Sequence, residues 1–211
     1  MSTVLAESTD TVSTDPRPVL PAVAFKDWSL VCAALDEGRQ SLILRKGGIA
    51  EGRDGFRFKH ESFFLFPTQF HQQAERIRPE ILPTLTPLPP APEATVEIRN
   101  FFRLDWALWI DDWPTLQRLA PFHVWREEVV RERFDYGDQL GLQCAFGRVY
   151  RLDPAWSFSD RPSFGGCRSW ITLPDFPAEA TTMHPVLDDA LHTALADDIR
   201  AVLAAVPTPT R

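Results

Sequence analysis

The sequence predicts an α+β domain: a mostly antiparallel or mixed sheet, open to curling into a small barrel, with flanking helices and a C-terminal amphipathic helix. Two observations predict it. Short aromatic and β-branched runs recur between glycine and proline turns, and two longer segments, residues 26–37 and 185–206, carry apolar residues at spacings of three and four. There is no internal repeat, so neither a solenoid nor a propeller is indicated.

Taken in order, residues 1–22 lack apolar periodicity and hold Pro16, Pro18 and Pro21, which predicts a disordered or loosely docked lead-in. A single domain spans 23–206. In residues 26–37, Trp28, Val31, Cys32 and Leu35 define one buried helical stripe, and Gly38 is its stop. Residues 40–45 form a buried strand ended by the Lys46-Gly47-Gly48 turn. Residues 56–59 alternate apolar and basic like a half-exposed strand, and residues 63–67 form the next. Thr68 caps a short helix that must finish before Pro79. Residues 79–94 are too rich in proline for helix or sheet and make a stiff loop within the domain.

A strand is predicted over 95–104. Trp106, Trp109 and Trp113 share helical spacing and are assigned to packing, Trp113-Pro114 opens a helical turn, and residues 127–134 are helical. Residues 141–152 form the clearest late strand, with Gly147 as a bulge, and residues 168–173 another. In the last helix Leu187, Leu191, Leu195, Ile199, Val202 and Val206 form the stripe, and 207–211 is a tail.

With 211 residues, 44% hydrophobic and 24% charged, the chain can bury a core without staples. Three cysteines at unrelated spacings argue for reduced thiols. No apolar run approaches the roughly 20 residues of a membrane-spanning helix, and the first residues lack the form of a secretory signal, so the protein is expected in the cytoplasm. The net charge of −7 divides as −2 over 1–24, +2 over 25–79, −3 over 80–98, 0 over 99–170 and −4 over 171–211. The acidity is peripheral, which leaves a polyanion-binding face permitted.

No phosphate loop, dinucleotide fingerprint, zinc-protease helix or nucleophile elbow is present. No lysine has an acid two residues before it, as restriction-type nucleases commonly do. Four constellations remain. Arg45, Lys46, Gly47 and Gly48 place two cations and free backbone N–H groups at a strand end, which suits an anion; a tight turn with solvated charges reads equally from them. His60 and His71, with Gln72, bracket residues 63–68 and could meet at one end of a sheet to bind a ligand or move a proton. They also read as two independent histidines. His123 and Trp125 could stack on and read a flat base, or pack in the core. Gly165, Gly166 and Cys167 lead into a strand, where glycines admit a ligand to the backbone and the thiol is either a nucleophile or a small buried side chain.

Trp28 to Leu35, Leu42-Ile43-Leu44-Arg45-Lys46-Gly47-Gly48-Ile49, residues 63–68 and His71-Gln72 together resemble a bacterial family known as domain of unknown function 1802. Phe122-His123-Val124-Trp125, residues 148–152 and 165–170 are similar to that family's second half. The resemblance brings no activity with it. Its occasional linkage to a restriction-endonuclease domain implies a part in restriction or defence.

The leading expectation is a binding module that holds a nucleotide or a modified nucleic-acid base, with Arg45, Lys46 and the glycine turn meeting an anion. His60, His71, His123 and Trp125 would line the wall. The rivals are a hydrolytic enzyme built on Cys167 or a histidine pair, and a structural or partner-binding protein. The residues leave the cofactor unassigned and point to no metal.

Overall fold

The computed structural model describes residues 22–47, 56–69 and 71–205. Gly48, Val206, the tail 207–211 and all but the last residue of the expected lead-in 1–22 lie outside them. The strands are β1 (Val23–Trp28), β2 (Leu42–Arg45), β3 (Ser62–Thr68), β4 (Thr95–Ile110), β5 (Leu142–Ser159), β6 (Trp170–Thr172) and β7 (Thr182–Pro185). The helices are α1 (Ser29–Asp36), α2 (Gln73–Arg76), α3 (Trp113–Arg118), α4 (Glu127–Asp135) and α5 (Asp189–Ala204). The strands make one mixed sheet in the order β2-β5-β4-β3-β1-β6, with β7 pairing β5.

The β1–β3 pair is parallel and every other pair is antiparallel. The sheet curls but does not close. Its two end strands are bridged by a side chain, Arg45 Nη2 donating to Ser169 Oγ at 2.9 Å, rather than by a backbone ladder. Both faces are covered. Phe63 and Leu65 of β3 enter a core shared with α1 and α4, while Phe64 and Phe66 enter a second one with Trp156, Phe164 and Ile171. This alternation follows from the two-residue period of a strand.

Several expected elements shift. Residues 26–28 belong to β1 rather than to the helix, because Ala24 to Trp28 pair with Phe64 to Thr68 and α1 begins only at Ser29. Gly38 does end α1, with φ +69 and its N–H donating to Leu35 O at 3.2 Å. Residues 56–59 pair with no strand; Phe56 and Phe58 instead pack edge to face at 4.9 Å and lie against Phe25. Thr68 ends a strand rather than capping a helix, and its hydroxyl donates to Asp27 O at 2.9 Å.

Trp106 and Trp109 lie on β4, not on a helix, because pairing with β5 runs through Ile110. Their spacing of three puts them on opposite faces of a strand. The proline-rich loop contributes one 3-10 turn, Leu82–Thr84, and docks on the end of α1 through Arg39 Nη1, which donates to Thr84 Oγ1 at 2.9 Å. β7 was not legible. The α5 stripe is rotated from the expected one: His192, Ala196 and Ile199 are buried, whereas Leu191 is 56% exposed. Asp188, not Pro185, starts that helix, its carboxylate accepting the Leu191 N–H at 2.8 Å.

β4 and β5 slip register twice, between Ile98 and Asn100 and between Leu104 and Trp106. At the second slip the extra residue is Asp105 on β4, opposite Gly147 and Phe146. Gly147 is needed there for space: a Cβ would lie 2.3 Å from Arg103 O and 2.5 Å from the Phe102 ring. Backbone cannot yield as a flexible side chain does. Gly147→Ala should therefore destabilise the protein by about 2 kcal/mol or more, measured by denaturant unfolding against the parent.

Candidate functional site

Parallel pairing makes β1 and β3 end at the same edge of the sheet, with Asp27 opposite Pro67 and Trp28 opposite Thr68. α1 starts there. The end of β2 joins them because Arg45 lays its guanidinium 5.5 Å from the Phe25 ring centroid and 6.0 Å from that of Phe56. α4 adds Arg133, whose Nη1 donates to Leu44 O at 3.1 Å. Its guanidinium carbon lies 3.9 Å from the Trp125 ring and 5.6 Å from that of Trp28, and the two tryptophans meet edge to face at 4.8 Å.

Between these cations sits Asp27, 4% exposed, its Oδ1 accepting the Trp28 backbone N–H at 2.8 Å. Burial pushes this carboxyl above its ordinary value, against the pull of Arg45, Arg133 and that N–H. Burial also brings Arg133 down to about 10, with Asp27 opposing, so the guanidinium remains charged near neutrality. Among the described residues neither Arg45 nor Arg133 forms an ion pair with a carboxylate, and Arg45 Nε is buried without a hydrogen-bond partner. A buried donor is costly to leave unmade, so this Nε is free hydrogen-bonding capacity at the cluster.

An open groove of about 1020 Å³, with Ser29 and Thr68 in its wall, runs along the sheet face of Phe66, Val96 and Phe164, opposite the face of Phe25. Its walls include Phe66, Gln69, Pro89, Arg99, Arg161 and Gly165. Arg99 pairs with Glu97, and Lys26 is held at the Phe164 end by the Phe164 and Gly166 carbonyls at 2.7 and 2.9 Å.

The twelve residues singled out from sequence do not gather in one cavity. Lys46 does not face an anion: its ammonium donates to the carbonyls of Phe134, Gln139 and Gly141, and lies 4.9 Å from the Trp109 ring. Gly47 follows it on the same turn, and Gly48 lies outside the described residues. His60 packs edge to face on Trp170 at 4.9 Å, close to the aromatic group under Arg45. His71 and Gln72 are exposed near the start of α2. Trp125 is 1% exposed, with Arg133 over its face. Gly165 lines the groove, Gly166 adopts φ +80 next to it, and Cys167 is an exposed free thiol. No imidazole hydrogen-bonds Cys167 among the described residues, nor do three His, Cys, Asp or Glu side chains come together as a metal site requires. Of Leu187, Leu191 and Leu195 only Leu191 is exposed, so they form no contiguous apolar patch for a partner protein.

Asp27 and Arg133 escaped the sequence reading. The first was hidden because 26–37 read as a helix, whereas a strand puts Asp27 inward with Phe25. The second follows Val129 and Val130 by helical spacing, so it shares their buried face.

His123 is 2% exposed, and its Nδ1 accepts the Trp125 N–H at 3.2 Å, which puts the ring proton on Nε2. That Nε2 is buried without a partner among the described residues. Burial, with Arg78 and Arg133 nearby, lowers the imidazole to about 3. A depressed folded value stabilises the fold above the unfolded value, 6.5, and that contribution is lost as pH falls from there towards about 3. His123→Asn, whose Oδ1 can accept the same N–H, should flatten this part of the stability profile, read as unfolding midpoints from pH 7 to pH 4 on the scale of ~1.4 kcal/mol per pH unit for one proton.

No curated relative matches the chain. Two solved structures do: an ASCH structure from Zymomonas mobilis, with 13% identity and a TM-score of 0.37, covers 60% of this chain and 66% of that one. A serine-to-alanine mutant of ZmASCH from the same organism gives 13%, 0.39, 61% and 70%. The chain thus spans just under two thirds of the first of these, and likeness at this level carries no functional argument. No helix among the described residues is long and apolar enough to cross a membrane. The family pattern described as a domain of unknown function, DUF1802, matches residues 24–198, most of the chain, and the protein belongs to that family.

Proposed function

We propose that the protein is a binding module for a nucleotide or a nucleic-acid base, seated where β1, β2 and β3 end against α1 and α4. One observation carries this: a buried carboxyl group feels two guanidiniums that have no ion-pair partner among the described residues and that lie close to aromatic rings. Such a set offers an acceptor and several donors in fixed directions, which is what the edge of a base requires. The half-buried Trp28 ring stands beside it. The separate groove would take part of a sugar-phosphate backbone. Its cationic side chains, Arg99 and Arg161, and the neighbouring Lys26 and Arg168 outnumber Glu97 and Asp160 by four to two, a local balance of +2 in a chain of net charge −7. In restriction or defence, the setting implied by the family resemblance, a module of this kind would read a base and leave cleavage to another domain.

The test is direct titration of the full chain with labelled single-stranded oligonucleotides, unmodified and base-modified, at low and moderate salt, followed by fluorescence anisotropy. Salt-dependent binding is expected. Arg161→Gln should weaken it across sequences and reduce the slope of log affinity against log salt by about 1. No binding to any oligonucleotide or mononucleotide at either salt concentration would reject the reading.

A further inference from the structure

The groove combines an apolar lining with a cationic end. Phe66, Val96 and Phe164 of the second core line it together with Pro67, Pro89 and Pro162. Towards Phe164 stand Lys26, Arg161 and Arg168, none of which forms an ion pair with a carboxylate among the described residues. Burial, and next the charge of Arg168, lower the Lys26 ammonium below its ordinary value, and Asp160 opposes them only in part. This end of the groove is short of negative charge.

The chain carries such charge close by. Residues 1–21 hold Glu7, Asp10 and Asp15 against one cation, Arg17, and include Pro16, Pro18 and Pro21 with Val12, Val19 and Leu20. They join the fold at Ala22, whose carbonyl accepts the Leu173 N–H at 2.8 Å. Lys26 lies four residues further on, about 13 Å along the strand. Ala24 and Lys26 both point to the face of the groove, the first in the second core and the second with its ammonium 5.9 Å from the Phe66 ring centroid. A segment of this length spans at most about 70 Å, so it reaches the whole groove on a return path. Its prolines favour the extended polyproline form, and segments of that form dock in grooves lined by aromatic rings.

We propose that residues 7–20 lie along the groove of their own chain, with Glu7, Asp10 and Asp15 answering Lys26, Arg161 and Arg168, and that a polyanion binds there only by displacing them. The consequence for binding rests on the nucleotide-binding reading; the contact itself does not. Tethering favours this occupant over a free partner, because it presents the segment at roughly millimolar effective concentration and a weak contact then suffices. The charges also agree: the segment's −2 offsets the local +2 at the groove.

The experiment places a spin label on Cys167 of the full chain, an exposed thiol next to the groove, whereas Cys32 and Cys144 are buried. Nuclear magnetic resonance then reads the amide signals of residues 7–15. Broadening is expected at low salt, and it should be relieved at moderate salt, by added dT12, and in a variant combining Glu7→Gln, Asp10→Asn and Asp15→Asn. A control combining Asp138→Asn, Glu179→Gln and Asp198→Asn, all exposed, changes net charge equally and should keep the broadening. The first variant should also bind dT12 about three-fold or more tighter than the control, since a groove partly filled by its own segment loses that fraction of its affinity. Broadening that is equal in both variants, or absent from the parent, would overturn the proposal, and dT12 binding in that case leaves the nucleotide-binding reading standing. Broadening that arises only between labelled and unlabelled molecules gives the groove to a second copy and also overturns it. Salt-sensitive broadening without any oligonucleotide binding supports the contact and removes the nucleotide-binding reading alone.

Discussion

The parallel pairing of β1 with β3 is the constraint on which the rest of the structure depends. In an otherwise antiparallel sheet, one parallel pair forces a crossover, and the chain here makes it through α1 and β2. Both strands then finish at one edge, where α1 begins, and β2 is carried to the opposite end of the sheet beside β5. Curling, aided by the two slips of the β4–β5 ladder, brings that distant end back until Arg45 reaches Ser169. A side chain closes the gap that backbone hydrogen bonds leave.

That geometry has an electrostatic consequence. Asp27 is taken out of water, and Arg45 and Arg133 partly so, without direct ion pairs among them, an arrangement that contributes little to stability by itself because desolvation offsets the attraction. Aromatic rings take the place of close charge contacts: Phe25 and Phe56 support Arg45, and Trp28 and Trp125 support Arg133. The charged groups keep their directions and much of their hydrogen-bonding capacity. The cluster is therefore not an internal salt bridge.

The polar residues most conspicuous along the chain mostly serve the fold. Lys46 ties the α4–β5 connection to the end of β2 through three carbonyls, fixing the strand from which Arg45 projects. His123 packs neutral under Trp125 and accepts its backbone N–H, which helps hold the ring beneath Arg133. A further histidine, His192, anchors α5 by bonding Asp105 at 2.7 Å where β4 bulges. Each of these side chains meets a specific backbone or side-chain partner, although His123 leaves its Nε2 unpaired among the described residues.

The chain itself determined its class, a curled mixed sheet with helices around it, and the approximate place of most strands, because alternation and turn chemistry are local properties. Gly38 was legible for the same reason, whereas Gly147, expected as a bulge, lies opposite one whose extra residue is Asp105 on β4. Lys26 to Trp28 were not: their apolar spacing fits a helix, and only the pairing of β1 with β3 and β6 makes them a strand. Of the site, Arg45 and Gly165 were visible as turn-flanking residues, whereas Asp27 and Arg133 were not, since neither lies in a motif. Their meeting depends on which strand lies parallel to which and on how far the sheet curls, and both are set by packing between segments far apart in the chain, 40 residues for β1 with β3 and 124 for Arg45 with Ser169.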